Sequence, residues 1–218
     1  MLMILSMLFS SFGLAQSLPT TAAPLQRQVH GQTIISNELP AAELTFGQEF
    51  RYVGGQVVNL YGNANAEQHV FVKAGSSGAV TSFYWVQFEH FLPSNKMTYD
   101  YEPKRTTDIG GLQFIYDVMS FPDCAAIEAA DPASDGAAIA RLLAHHQLAF
   151  PKKTARVRMF HLPTADRRTE LMIIYGEALA EGSKIPLSDK GIPLDDDYPD
   201  AAKMMLDQVR EGLTIRTR

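Results

Sequence analysis

From Leu44 to Phe121 apolar and polar residues alternate with a period of two, interrupted by turn-forming residues, and this pattern predicts consecutive β-strands. Phe50–Val53 and Gln56–Tyr61 flank Gly54-Gly55, a dipeptide that reads as a two-residue hairpin turn. Gln68–Lys73 follows the break at Gly62–Asn65, and Gly75-Ser76-Ser77-Gly78 reads as the next turn. Val80–Phe91 is the longest strand, dense in aromatic and β-branched side chains. Pro93–Lys96 ends it, with Met97–Tyr101 as a short return. A polar loop carrying Arg105 and Asp108 then leads through Gly110-Gly111 to Leu112–Phe121. Short sequential turns make this region an antiparallel meander.

The period changes after Phe121. Cys124–Ala130 predicts one or two helical turns, and Ser134 or Asp135 caps a second helix. Ile139, Leu142, Leu143 and His146 fall on one stripe of that helix. Ala155–Leu162 and Thr169–Tyr175 form a hairpin in which Val157 and Met159 face inward while Arg156 and Arg158 face water. Residues 180–197 read as a polar loop. Asp195-Asp196-Asp197 and Pro199 announce a last helix, with Ala202, Met205, Leu206 and Val209 as its apolar stripe and Gly212 as its C-cap. The whole is an α+β fold: an antiparallel meander sheet of about five to seven strands, flat or strongly curved, packed by two main helices.

Met1–Phe9 is an apolar run too short to span a bilayer, and Gly13-Leu14-Ala15 places small residues where a signal peptidase reads. Residues 1–15 are therefore expected to be a cleaved signal peptide. Residues 16–42, with Pro19, Pro24 and Pro40, read as a flexible leader holding at most a short strand at Gln32–Ile35. Residues 43–218 form the single domain. The expected address is extracytoplasmic, periplasmic or secreted, with no membrane span in the mature chain. The single cysteine, Cys124, excludes an internal disulfide framework, so the core must hold the fold together. A net charge of −5, with only Lys152-Lys153 and Arg167-Arg168 as doubled basic pairs, argues against nucleic acid as a partner.

No nucleotide-binding, zincin or hydrolase motif is present, and no cofactor is implied. The stretch Glu67–Phe91 holds the candidate chemistry. If Gly75–Gly78 closes a simple hairpin, with Ala74 facing Ala79, one face of the pair collects Val70, Val72, Phe83 and Trp85 and runs on to Gln87 and Glu89. The other collects Glu67, His69, Phe71, Tyr84, Val86, Phe88 and His90. Both faces shun water in the middle and turn polar at one end, so each is covered or lines a cavity. His69, Tyr84, Trp85, Gln87, Glu89 and His90 are the candidate ligand-binding residues. His69 and His90 share a face but stand about 20 Å apart along the strands, too far to share a metal. His161 is expected near Glu170 as a strand-end ion pair, and Cys124 as a packed free thiol.

The leading expectation is an exported, non-enzymatic binding or accessory protein whose aromatic sheet receives a small apolar or amphipathic ligand or an envelope protein partner. The alternatives are an envelope hydrolase or isomerase using Glu89 and a histidine as acid and base, and a histidine-based metal-binding protein.

Overall fold

The computed structural model describes residues 23–75, 78–102, 105–187, 192–194 and 196–218. The expected signal peptide and the first residues of the leader lie outside the described residues. In chain order the elements are β1 (Gln28–His30), β2 (Thr33–Ser36), β3 (Ala42–Phe46), β4 (Arg51–Leu60), β5 (Ala64–Ala74) and β6 (Val80–Phe91). Then come β7 (Thr106–Ile109), β8 (Leu112–Phe121), α1 (Cys124–Ala129), α2 (Asp135–His145), β9 (Thr154–His161) and β10 (Thr169–Ala178). The chain closes with β11 (Ile192–Pro193), α3 (Pro199–Gly212) and β12 (Leu213–Thr217).

Two antiparallel sheets form. The smaller runs β1-β2-β3-β12, and the larger runs β11-β8-β9-β10-β6-β5-β4, with β7 also paired to β8. The expected continuous meander is thus two triplets, β4-β5-β6 and β8-β9-β10, joined by β6 against β10. Within the segment read as a leader, residues 28–36 pair as β1 and β2.

The layers explain the two-sided apolar dressing of the central strands. On one face, Phe71, Tyr84, Val86 and Phe88 pack with Ile34, Leu44 and Phe46 of the small sheet and with Met205 and Val209 of α3. On the other, Val70, Val72, Phe83 and Trp85 pack with Ile139 and Leu143 of α2 and with Cys124 at the start of α1. The two main helices therefore cover opposite faces of the large sheet. Each fully buried Phe or Leu in these layers contributes about 1.5–3 kcal/mol. Among the described residues no helix is long and apolar enough to cross a membrane.

Several local expectations are corrected. Gly54-Gly55 is not a turn: β4 runs straight through, with a bulge between Tyr52 and Gly54. A Cβ on Gly55 would sit 2.7 Å from the Tyr52 hydroxyl and 2.9 Å from Nδ1 of His69, so this glycine clears space for a side-chain contact. The real reversal is at Tyr61 and Gly62, both in the left-handed region at φ 53° and 70°. Gly212 ends α3 without positive φ, because Leu213 continues directly into β12. A Cβ there would meet the Tyr84 hydroxyl at 2.5 Å, so packing explains the residue. Met97–Tyr101 forms no strand. Asp195 lies outside the described residues, and the N-cap of α3 is Tyr198, which makes no side-chain capping bond. Ser134 caps α2 as the chain suggests, accepting from Ala137, and Asp123 caps α1 by accepting from Ala126. The face carrying Arg156 is covered rather than wet: its guanidinium pairs with Glu128 of α1 and lies over the Phe121 ring.

Candidate functional site

On the α2 face, side chains turn polar toward the end of β6. The cross-strand neighbours Gln56, Gln68 and Gln87 stand side by side on β4, β5 and β6. Their amides form a chain of hydrogen bonds. Nε2 of Gln56 donates to Oε1 of Gln68 at 2.8 Å, and Nε2 of Gln68 donates to Oε1 of Gln87 at 2.8 Å. Nε2 of Gln87 then donates to Oε2 of Glu89 at 2.6 Å. The N-terminus of α2 closes over this ladder: Gln68 also reaches the Asp135 carbonyl, and Gln87 reaches the Asp135 carboxylate at 3.4 Å. Buried amides need such partners, because each unpaired one costs about 1–3 kcal/mol.

Across the sheet, Glu89 of β6 faces Glu170 of β10 directly. Residues opposed in this way have Cβ atoms roughly 5 Å apart. A strap formed by residues 92–101 lies over the pair. Its Tyr99 hydroxyl donates to Oε1 of Glu89 at 2.7 Å, and its Tyr101 hydroxyl bonds Glu170. The rings form a column with those of the strands: Phe91 on Tyr99 at 4.4 Å, Tyr99 to Tyr101 at 6.3 Å, and Tyr101 on Phe160 at 4.4 Å. Arg167 and Arg168 pin the strap from the β9–β10 turn, donating to the carbonyls of Tyr99, Met97 and Leu92. The basic pair that looked like a weak surface patch is an internal clamp.

Electrostatics sets this site apart. Burial pushes the Glu170 carboxyl up to about 8; Glu89 and Asp135 add to the rise, and the Tyr101 hydroxyl and Arg158 oppose it. Glu170 is only 2% exposed, and its Oε2 has no hydrogen-bond partner. Glu89 is also raised, first by burial and then by Asp135, against the pull of Tyr99 and Gln87. Glu89 alone of the ladder opens to a surface cleft of about 260 Å³, walled by Leu60, Tyr61, Phe91 and Met97, with Asp135 at its side. A larger cleft of about 370 Å³ lies past the far end of the ring column, at Tyr101 and Phe160, where Arg105 pairs with Asp196 and Asp117 with Arg158.

The six expected residues divide between the two faces. Trp85, Gln87 and Glu89 stand on the α2 face, with Trp85 packed into the core and its Nε1 unpaired. Tyr84 is fully buried on the opposite face against Phe46, Phe50 and Tyr175. His69 is fully buried there too, Nε2 to Glu67 at 2.9 Å and Nδ1 to the Tyr52 hydroxyl at 3.1 Å. His90 is exposed, beside a cleft of about 220 Å³ at Arg27 and Glu67. It pairs with Asn65, four residues along β5 from His69. None of the histidines is hydrogen-bonded to Glu89, and among the described residues no three His, Cys, Asp or Glu side chains are grouped to hold a metal ion. His161 bonds the Gln113 carbonyl rather than Glu170. Tyr99, Tyr101 and Gln68 were not singled out by the sequence, and Glu170 and Asp135 were expected only as an ion-pair partner of His161 and a helix cap. The one signal pointing to Glu170 is its parity with Met172 and Ile174, which places a carboxylate on an apolar strand face.

No family model, curated protein or solved structure matched the chain in comparison.

Proposed function

We propose that this chain is an exported, non-enzymatic binding protein that holds a small amphipathic ligand in the Glu89 cleft. The observation that carries this reading is the exit of a buried, prearranged polar ladder at Glu89, beside Asp135, in a cleft whose remaining walls are largely apolar. Apolar walls with a few convergent polar groups are what small-ligand recognition requires. The ladder supports rigidity, since both Glu89 oxygens are already oriented by Gln87 and Tyr99 before any ligand arrives. Native mass spectrometry of the chain purified from the export compartment is expected to show a small-molecule adduct. Met97→Trp, which fills the cleft from an exposed position, is expected to remove it. A bare mass in the parent protein, or an adduct untouched by Met97→Trp, overturns the reading.

A second reading, a hydrolase or isomerase, is favoured by one observation: two opposed carboxyls, one of them holding its proton near neutral pH. Glu170 then takes the place of the expected histidine. A turnover found by substrate screening and abolished in well-folded Glu89→Gln would promote it over the first.

A further inference from the structure

We infer that the Glu89 cleft selects a cation, seating the ammonium head of a small amphiphile. This rests on the binding reading above and adds the ligand class. The first ground is charge. Glu89 and Asp135 both line the cleft, no basic side chain does, and neither carboxylate has an ion-pair partner among the described residues. A single amide nitrogen, Nε2 of Gln87, lies 2.6 Å from one carboxylate and 3.4 Å from the other. The two acidic groups share this one amide and otherwise have only neutral donors, the Tyr99 hydroxyl on Glu89 and the Gly136 N–H on Asp135, so a ligand cation would supply a counter-charge. An anionic head would be repelled by both groups.

The second ground is the aromatic wall, and it is independent of the first. Tyr61 is 58% exposed yet held in place, by a left-handed backbone at φ 53° and by its hydroxyl, which donates to Asp131 at 2.6 Å. Tyr61 and Phe91 both line the cleft, and the exposed Tyr61 ring offers its surface to a cation. The volume of about 260 Å³ limits the guest to a head group and a short apolar stretch.

The test uses three probes with one chain length: octyltrimethylammonium, octanol and octyl sulfate. Binding is followed by calorimetry at pH 8 and located by the ¹³C-methyl signal of Met97, assigned through Met97→Leu. The ammonium is expected to bind at least tenfold more tightly than octanol and to shift that signal, with octyl sulfate weakest. Glu89→Gln, Asp135→Asn and Tyr61→Ala should each weaken the ammonium several-fold and leave octanol unchanged; should Glu89→Gln fail to fold, the two surface variants carry the test. If octanol or octyl sulfate moves the Met97 signal with equal or greater affinity, the binding reading stands and the cation inference fails. If no probe moves it, both fail.

Discussion

Glu67 and Glu170 are the same residue type, both nearly inaccessible, on opposite faces of one sheet, and they behave in opposite ways. Glu67 is surrounded by donors. Its oxygens accept from the backbone N–H groups of Gln26 and Arg27, both at 2.9 Å, from Nη1 of Arg27 at 3.2 Å and from Nε2 of His69 at 2.9 Å. Burial works to raise its pKa, yet these partners bring it down to about 2. Glu170 is buried no less but has an unpaired Oε2 and two acidic neighbours, and it rises to about 8. Burial alone therefore says little about a carboxylate; the supply of donors decides. A saturated cluster serves the fold, here by fastening the N-terminal segment to β5. An undersupplied one retains capacity to bind.

The largest consequence is for stability. Glu67→Ala is expected to cost about 3–5 kcal/mol, because it strands the buried Arg27 guanidinium and leaves two backbone N–H groups unpaired. Glu170→Met should cost much less, since the loss of the Tyr101 hydroxyl's partner is offset by removing a buried carboxyl with one unpaired oxygen. Urea unfolding of the two variants at pH 7 measures the contrast. Equal losses would mean that the donor count does not separate the two sites.

The same contrast governs pH dependence, with opposite signs. Glu67 has a folded pKa below its ordinary 4.5, so its contribution is complete above that pH and is lost as pH falls toward about 2. Glu170 has a folded pKa above 4.5, so its contribution is complete below that pH and is lost as pH rises to about 8. Stability should peak near pH 4.5–5 and decline toward pH 8 with a slope approaching about 1.4 kcal/mol per pH unit, the limit for one proton. Glu170→Gln should flatten the decline between pH 5 and 8, leaving a lesser one from Glu89, and should not alter the acid limb. An unchanged decline in Glu170→Gln would show that Glu170 is ionised in the folded protein at neutral pH.

The chain revealed the local parts of this architecture and hid the long-range ones. The face assignments for β5 and β6 hold although the register does not. Ala74 pairs with Val80 instead of Ala79, and the bulge between Lys73 and Ala74 adds a second residue, so Val72 faces Phe83 instead of Thr81; a slip of two residues preserves side-chain parity. Gln87 and Glu89 were legible for that reason, as was the stripe on α3, which depends only on helical period. The neighbour of Glu89 was not legible, because β6 pairs with β10 some eighty residues away and no local signal specifies that choice. Tyr99 and Tyr101 were hidden in a loop whose conformation depends on Arg167 and Arg168. Gly54-Gly55 misled because a glycine pair commonly marks a turn, whereas here one glycine yields to Tyr52 and His69. The strand after α3 was missed because Gly212 looked like a stop.

Both clusters also contain tyrosine hydroxyls, and Tyr99 and Tyr52 offer the finest comparison. On the α2 face, Tyr99 donates to a carboxylate at 2.7 Å; on the other, Tyr52 meets the His69 ring at 3.1 Å. Hydrogen bonds to charged groups contribute about 1.5–3 kcal/mol and neutral ones about 1, so Tyr99→Phe should cost more than Tyr52→Phe in urea unfolding. The two should also differ in reach. Tyr99→Phe removes a donor from Glu89, raising its proton affinity further, and loosens residues 92–101, so the Tyr99 amide, bonded to the Arg167 carbonyl, should exchange faster with deuterium. Tyr52→Phe leaves His69 its bond to Glu67, and Glu67 keeps all its donors, so exchange in residues 92–101 should not change. If both variants cost the same and neither frees the strap, the Tyr99 hydroxyl is not what holds Glu89 in place, and the rigidity assigned to the cleft must come from the arginine clamp alone.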